Sequence, residues 1–397
     1  MINNGGSNHQ WVDLPKELLE TIGKFIGSPV DIIRFRSVCS SWRSSVSAPS
    51  FDEEIPLITL KLPDPINAAA VLYQSTIYRT EFTCQNPNSP YSSSVSNQKG
   101  WLIKLRESRK GRLELLHPLT DNKIRYIPFQ FNLLEFRFVQ LSKAVTLKTL
   151  AGLSVYGINK VVSVPVSTTA SKDEFAIVAI FHEGKLGYLK FGDETWTLLD
   201  ETNFQYDDII EFEGQFYVVD RWGTVSWIDY SLRLIQYAPS LFGCGGQKNL
   251  VESCGNLYIV DRYLEGERRT WKDYEIVEAG RRRRYMRKCS PNAIDFKVYK
   301  LDEEWGTWIH VKSLGDQIFV LGVDCSFSVS CDEFVGGKGN CIYFTDDDDY
   351  KGRGLSNDSI RVFRLDDCVI EMMPEYSRMF WPPKFGESMS SDCAEDQ

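Results

Sequence analysis

Gly214-Gln-Phe-Tyr-Val-Val-Asp220 and, 41 residues further on, Gly255-Asn-Leu-Tyr-Ile-Val-Asp261 are the same phrase written twice. Gly339-Asn-Cys-Ile-Tyr-Phe-Thr-Asp346 is a third version, with Tyr343 lying 85 residues beyond Tyr258, close to two further steps. Each puts a glycine turn ahead of a tyrosine-bearing strand that ends in aspartate. A repeat of roughly 40 to 50 residues built on short strands is the period of β-propeller blades.

Working outward, Tyr188-Leu-Lys-Phe-Gly-Asp-Glu-Thr-Trp196 and Val298-Tyr-Lys-Leu-Asp-Glu-Glu-Trp305 both read as strand, acidic turn and a return strand led by tryptophan. That is a hairpin with an aromatic anchor on its return leg. Aromatic residues make up 13% of the chain, enough to fill the spaces between flat blades. Radial closure leaves only short strand edges exposed. The fold class expected is mainly β: a propeller-like domain of six or seven blades behind a three-helix N-terminal module. The stretch between Tyr73 and Phe175 shows the repeat poorly.

The N-terminal stretch has a different period. From Asp13 onward, Leu14, Leu18, Ile22, Phe25 and Ile26 recur at helical spacing with Leu19 beside them, forming one apolar stripe. Pro15 suits a first turn, Asp13 can accept from its amides, and Gly27-Ser28-Pro29 ends the run. Ser28-Pro-Val-Asp31 has capping-box spacing for a second helix, and Val38, Cys39, Trp42 and Val46 give another apolar face. A module of about 40 residues seldom buries enough apolar area to stand alone. Periodicity leaves two readings open: the helices await another protein, or they cap the rest of the chain.

The totals narrow the classes. Of 397 residues 43% are apolar and 25% charged, as in ordinary globular proteins. The longest apolar runs are too short for a membrane span and the start is polar, so neither a span nor a secretory signal is expected. Ten cysteines lack any C-x-x-C spacing and there are four histidines, so no structural zinc or other cofactor is expected. A net charge of −9 argues against nucleic acid as the main partner.

Leu14-Pro15, Leu18-Leu19, Ile22, Asp31-Ile32, Arg34, Arg36, Val38-Cys39 and Trp42-Arg43 stand in the order and spacing of the F-box, which this stretch resembles. The resemblance implies binding to the Skp adaptor of cullin-RING ubiquitin ligases. Leu14 and Pro15 would touch the adaptor first, with Leu18, Leu19, Ile22 and Ile26, then Val30, Ile32, Val38, Cys39 and Trp42, forming the shared helical core. Gly23 departs from the family, which often carries leucine there; it weakens the helix by up to about 1 kcal/mol relative to alanine. Further on, Gly100-Trp101-Leu-Ile-Lys-Leu, Tyr206-Asp-Asp-Ile-Ile210, Val219-Asp-Arg-Trp-Gly-Thr-Val-Ser-Trp-Ile-Asp229 and Gly243-Cys-Gly-Gly-Gln-Lys-Asn-Leu-Val-Glu-Ser253 resemble the KIB-type β-propeller domain of plant F-box proteins. With the F-box, the chain is similar to the Skp-interacting-partner group. The family implies a ligase receptor and, for some members, capture of protein kinases.

The division expected is a disordered start over 1–10, the F-box over 11–49, a proline-punctuated linker over 50–68, the propeller over 69–385 and an acidic disordered tail over 386–397. Asp220-Arg221 and Asp261-Arg262 read as recurring corner hydrogen bonds or ion pairs rather than a glycosidase pair, because an active site needs unique converging groups. Gly243-Cys-Gly-Gly-Gln-Lys248 lacks phosphate-loop spacing and reads as a tight turn. The run Asp346 to Asp349 reads as a solvated loop. Between Glu267 and Lys288 nine basic residues face four acidic ones. There Arg281, Arg282, Arg283, Arg284, Arg287 and Lys288 suit a surface loop, a nuclear import signal or capture of an acidic client. The function expected is the substrate-recognition subunit of a Skp-cullin-F-box ligase, without bond chemistry of its own, in nucleus or cytoplasm. Two rivals remain: a propeller binding module with a helical cap, and a propeller-fold hydrolase.

Overall fold

Alternation of side chains decides the core. In Phe175–Phe181, Ala176, Val178 and Ile180 face one way while Ile177, Ala179 and Phe181 face the other, and all six are buried. A strand apolar on both faces must be sandwiched between two sheets, and the chain makes a ring of such sandwiches. The computed structural model describes residues 11, 14–26, 29–47, 59–63, 66, 68–82, 100–107, 113–124, 136–155, 157–165, 175–181, 184–200, 205–266, 292–334, 337–346, 360–373 and 379–380.

After three short helices, α1 (Lys16–Lys24), α2 (Pro29–Ser37) and α3 (Ser40–Ser45), the regular elements among the described residues are strands, apart from a 3-10 turn at Cys331–Glu333. Layer one holds β1 (Thr59–Lys61), β2 (Ala69–Phe82), β3 (Trp101–Glu107), β4 (Leu113–Leu116) and β5 (Phe136–Lys148). Layer two is a meander of β6 (Ile158–Pro165), β7 (Phe175–Phe181), β8 (Lys185–Lys190) and β9 (Thr197–Leu198), touching layer one edge to edge where Val145 faces Val161. Layer three is β10 (Tyr206–Phe212), β11 (Gln215–Asp220), β12 (Val225–Ile228) and β13 (Leu234–Ala238), and layer four is β14 (Gln247–Ser253), β15 (Asn256–Leu264), β16 (Ala293–Asp302) and β17 (Thr307–Val311). Layer five contains β18 (Gln317–Leu321), β19 (Ser326–Ser330), β20 (Cys341–Thr345), β21 (Ile360–Arg364) and β22 (Val369–Met372), in the order 19-18-20-21-22 with β18 parallel to β20.

Apolar clusters fill the seams. Leu147 meets Ile177 between layers one and two, Ile180 meets Ile209 between two and three, and Val219 meets Ile259 between three and four. Val260 meets Phe319 and Phe344 between four and five, and Ile318 and Tyr343 meet Ile77 and Leu102 between five and one. The ring therefore closes. Among the described residues it counts five layers, where the repeat length suggested six or seven blades. The difference lies in layer one, which runs from Thr59 to Lys148, about the length of two of the 41-residue repeats, with β2 and β5 14 and 13 residues long.

The repeated phrases are β11, β15 and β20. The turns before the first two are left-handed at both positions, Glu213-Gly214 and Cys254-Gly255. This two-residue hairpin matches strand twist and requires positive φ twice, which favours glycine. Glu211 and Glu252 each accept from the glycine amide at 2.8 Å. Asp207 accepts from the Lys248 amide and Asp208 from the Leu250 amide, so β10 and β14 begin level at one rim, called upper here. Alternate turns of a meander share an end, so Glu213-Gly214, Asp229–Leu232, Cys254-Gly255 and Glu303–Gly306 all lie at the lower rim.

Several expectations are corrected. The stretch read as a linker contributes β1, which pairs with β2 and buries Leu60 between two exposed neighbours. Trp196 does anchor its hairpin, packed edge-on against Phe181 at 5.0 Å with its indole N–H donating to the Lys61 carbonyl. Trp305 does not; the turn after β16 is shorter, 303–306 against 191–196 after β8, and leaves it 75% exposed, while Trp308 donates to the Pro239 carbonyl at 2.7 Å. Asp346 is no solvated loop residue, being buried and accepting from Arg262 at 2.7 Å and from the Ala293 amide. Asp347 to Asp349 lie outside the described residues.

Candidate functional site

The apolar residues of the first helix divide into two lines about 100° apart around the axis. Leu19 is fully buried, Gly23 is buried against α3, and Ile26 continues that line half-buried. A β-carbon on Gly23 would overlap the Val46 side chain, so this glycine lets the first and third helices touch. The other line, Leu18, Ile22 and Phe25, is 51%, 39% and 85% exposed. Pro15 at the start of α1 and Val38 at the end of α2 are exposed as well.

The inside of the module is held by Phe35, buried and 4.5 Å from the Trp42 ring, and by a cross-tie of arginines. Arg36 donates to the carbonyls of Arg43 and Val46, and Arg43 donates back to the Arg36 carbonyl at 3.1 Å. These bonds close the open carbonyl ends of two short helices that cannot close their own. Leu14, Ile32, Cys39 and Trp42 are half-buried, and the Trp42 indole donates to the Trp11 carbonyl. Val30 lies in α2, but its side chain, like Asp13, Gly27 and Ser28, falls outside the described residues. The residues read as one contact set thus separate into an interior group, chiefly Leu19, and a bare group led by Leu18, Ile22, Pro15 and Val38. Phe25 joins the bare line although the sequence reading left it out of the contact set; its place in the helical repeat was the available signal.

The helices meet the ring through Arg34, whose guanidinium lies 5.8 Å from the Phe138 ring. The ring itself is pinned by buried charge. At the closing seam Lys104 of β3 reaches Asp324 and, at 2.9 Å, Asp121. Asp121 also takes Lys148 at 2.5 Å. Burial opposes charge on Lys104, but Asp324 and Asp121 outweigh it and hold the ammonium protonated well above the usual lysine range. Burial also works against the Asp121 carboxylate, yet Lys104 and Lys148 keep it below its ordinary range. His117 beside them is pushed down to about 3, first by burial and then by Lys104, so it is neutral. Its Nδ1 accepts from the Leu119 amide.

The two aspartate-arginine pairs do not act alike. Asp220 caps its own turn, accepting from the amides of Trp222 and Thr224. Asp261 is fully buried and pairs with Lys248 at 2.6 Å, while Arg262 crosses to Asp346. The loop before β14 wraps this pair: Gly245 donates to Asp261, and a β-carbon at Gly243 or Gly245 would strike its carboxylate. The glycine-rich run is thus a cage around an ion pair. The basic residues from Arg281 to Lys288 lie outside the described residues.

Comparison with known proteins agrees with this architecture. The KIB1-4 beta-propeller family model matches residues 67–364. The chain is 31% identical to F-box protein SKIP23 of Arabidopsis thaliana over 398 residues, covering 94% of each. It is 33% identical to the putative F-box protein At1g65770 of the same plant, covering 90% of this chain and 92% of the relative. The chain belongs to the KIB1-4 β-propeller F-box proteins. In this KIB1-4 member the helical module precedes the matched region and the matched region spans the ring from layer one to β21. No described helix is long and apolar enough to cross a membrane.

Proposed function

We propose that this KIB1-4 F-box protein is the substrate-recognition subunit of a Skp-cullin-F-box ubiquitin ligase. The observation that carries the reading is the bare line Leu18, Ile22 and Phe25 on a helix whose other line is already used for its own packing. A module this small keeps such a surface apolar when another protein covers it. The Skp adaptor is the partner, as the F-box names of the relatives support, and it links the chain to cullin. The ring holds a client, a protein kinase being one candidate class, and catalysis comes from a ubiquitin-charged enzyme held close at raised effective concentration. The chain performs no bond chemistry itself.

Co-expression with a Skp adaptor followed by size-exclusion chromatography tests this. The expected product is a 1:1 complex. Covering the exposed parts of Leu18 and Ile22 contributes about 1 kcal/mol each, so Leu18→Asp with Ile22→Asp weakens the complex at least about thirtyfold with the melting temperature unchanged. A chain that elutes alone, or a double variant that binds as before, refutes the reading. We also propose that the stretch Arg281 to Lys288 directs nuclear import. Its deletion then moves a nuclear pool to the cytosol; an unchanged distribution removes that role.

A further inference from the structure

At the lower rim the seam between layers three and four carries a surface that the fold does not use. Trp305 stands 75% exposed in the turn after β16, and the layer-stitching task expected of it belongs to Trp308. Its backbone is nevertheless fixed, because Asp302 accepts from the amides of Glu304 and Trp305. Tyr230 is 90% exposed in the turn after β12, which Asp229 pins by accepting from the amides of Ser231 and Arg233. Two large aromatic side chains are thus held out into water on rigid turns.

Between them the surface is acidic. Gln215, next to the Glu213-Gly214 turn, donates to the Tyr230 hydroxyl at 3.2 Å. Across the seam the Tyr237 hydroxyl donates to Glu303 at 3.0 Å, and its ring meets that of Tyr217 edge-on at 4.9 Å. Burial first, then the carboxylates of Glu213 and Glu303, push both phenols up, so both acids lie near the Tyr217–Tyr237 pair, with Glu303 bonded to it directly. Arg233, the base at this corner, is already paired with Asp229 at 2.8 Å. Fixed aromatic faces beside exposed carboxylates suit a cation carried on an apolar stem, since the ring quadrupole and the carboxylate attract the same charge.

We propose that Tyr230 and Trp305, flanking Glu213 and Glu303, receive a lysine- or arginine-rich segment of a partner protein. This deepens the receptor reading by giving the client a chemistry, and rests on it only for what becomes of the bound partner.

The experiment uses the full chain without adaptor and a short fluorescein-labelled peptide of alternating arginine and serine, read by fluorescence anisotropy. Trp305→Ala is expected to weaken binding about tenfold, while Trp305→Phe recovers most of it. Glu213→Gln with Glu303→Gln weakens it by about tenfold or more. Asp366→Asn with Asp367→Asn removes the same charge from the β21–β22 turn and is expected to change binding by less than about twofold. The proposal is overturned if the peptide does not bind, if Trp305→Ala binds like the parent, or if the two charge-removing pairs weaken binding alike. Because the adaptor is absent, failure here leaves the adaptor reading intact, and failure of adaptor binding leaves this site intact.

Discussion

Replacing Lys104 by methionine keeps the length and removes only the charge, so it isolates what closes the ring. Lys104 is wholly buried between Asp121, in the turn after β4, and Asp324, in the β18–β19 turn 220 residues beyond Lys104 along the chain. In the variant Asp121 keeps Lys148 at 2.5 Å and Arg106 at 3.5 Å. Asp324 loses its cation. Its carboxyl is raised by burial against the pull of Lys104, with a further push from Asp121, and without Lys104 only its own backbone amide is left to oppose the rise. Breaking a buried pair from one side typically costs about 3 to 5 kcal/mol, a fall in melting temperature of roughly 6 to 10 °C at about 2 °C per kcal/mol. The loss also has a pH signature. An acid whose folded pKa is raised favours folding while neutral and penalises it once ionised, so Lys104→Met is least destabilising in mild acid and worsens as pH climbs through the raised Asp324 value. Asp121 has the opposite sign: its depressed pKa contributes stability above the ordinary aspartate range and loses it as pH drops below about 4 in the parent chain. The assay is thermal unfolding of both proteins across pH, with Lys123→Met, which breaks an exposed pair to Glu114, as the control. Equal losses for the two lysine variants, or a Lys104→Met loss that does not depend on pH, refute the idea that this charge closes the ring.

Gly23→Ala gains up to about 1 kcal/mol of helix propensity but forces a methyl into Val46, at a cost of about 1 to 3 kcal/mol. Limited proteolysis of the helical module should speed up, and adding Val46→Ala should restore resistance; a single variant more resistant than the parent contradicts the packing described. Asp208→Ala strips a buried carboxylate that accepts from the Ile209 and Leu250 amides at 2.8 Å and pairs with Lys160 at 2.5 Å. Leaving that lysine and an amide unsatisfied should lower the urea unfolding free energy by about 3 to 5 kcal/mol. A loss under about 1 kcal/mol would mean that the three inner strands are not tied together at this residue.

What the sequence could disclose depended on how local the cause was. Gly214 and Gly255 are required by turns their own neighbours make, so β11 and β15 were legible, and with them the repeat. Layer one was not: β2 and β5 pair along their length across more than fifty intervening residues, and their period carries no glycine mark. Lys104 looks like an ordinary polar position in Trp-Leu-Ile-Lys-Leu because Asp324, which fixes it, lies 220 residues away, and Asp121 comes beside it only once β3 and β4 have paired. Trp305 and Trp308 are three residues apart in one hairpin, and only the turn length decides which is tucked away. On the first helix the spacing revealed apolar residues but merged two lines into one; Gly23 amid the leucines was the available hint that one line faces a close neighbour.

The seam that shuts the ring joins β3 to residues near the far end of the chain: Gly100 donates to the Glu333 carbonyl, and Leu102 to that of Met379. On the ribosome, layer one must therefore wait with its Ile77 and Leu102 side uncovered until most of the polypeptide has been synthesised, whereas the three helices are complete within its first fifty residues. The bare line Leu18, Ile22 and Phe25 is thus in place long before the ring behind it can close, and the open ring leaves an apolar seam uncovered in the interval.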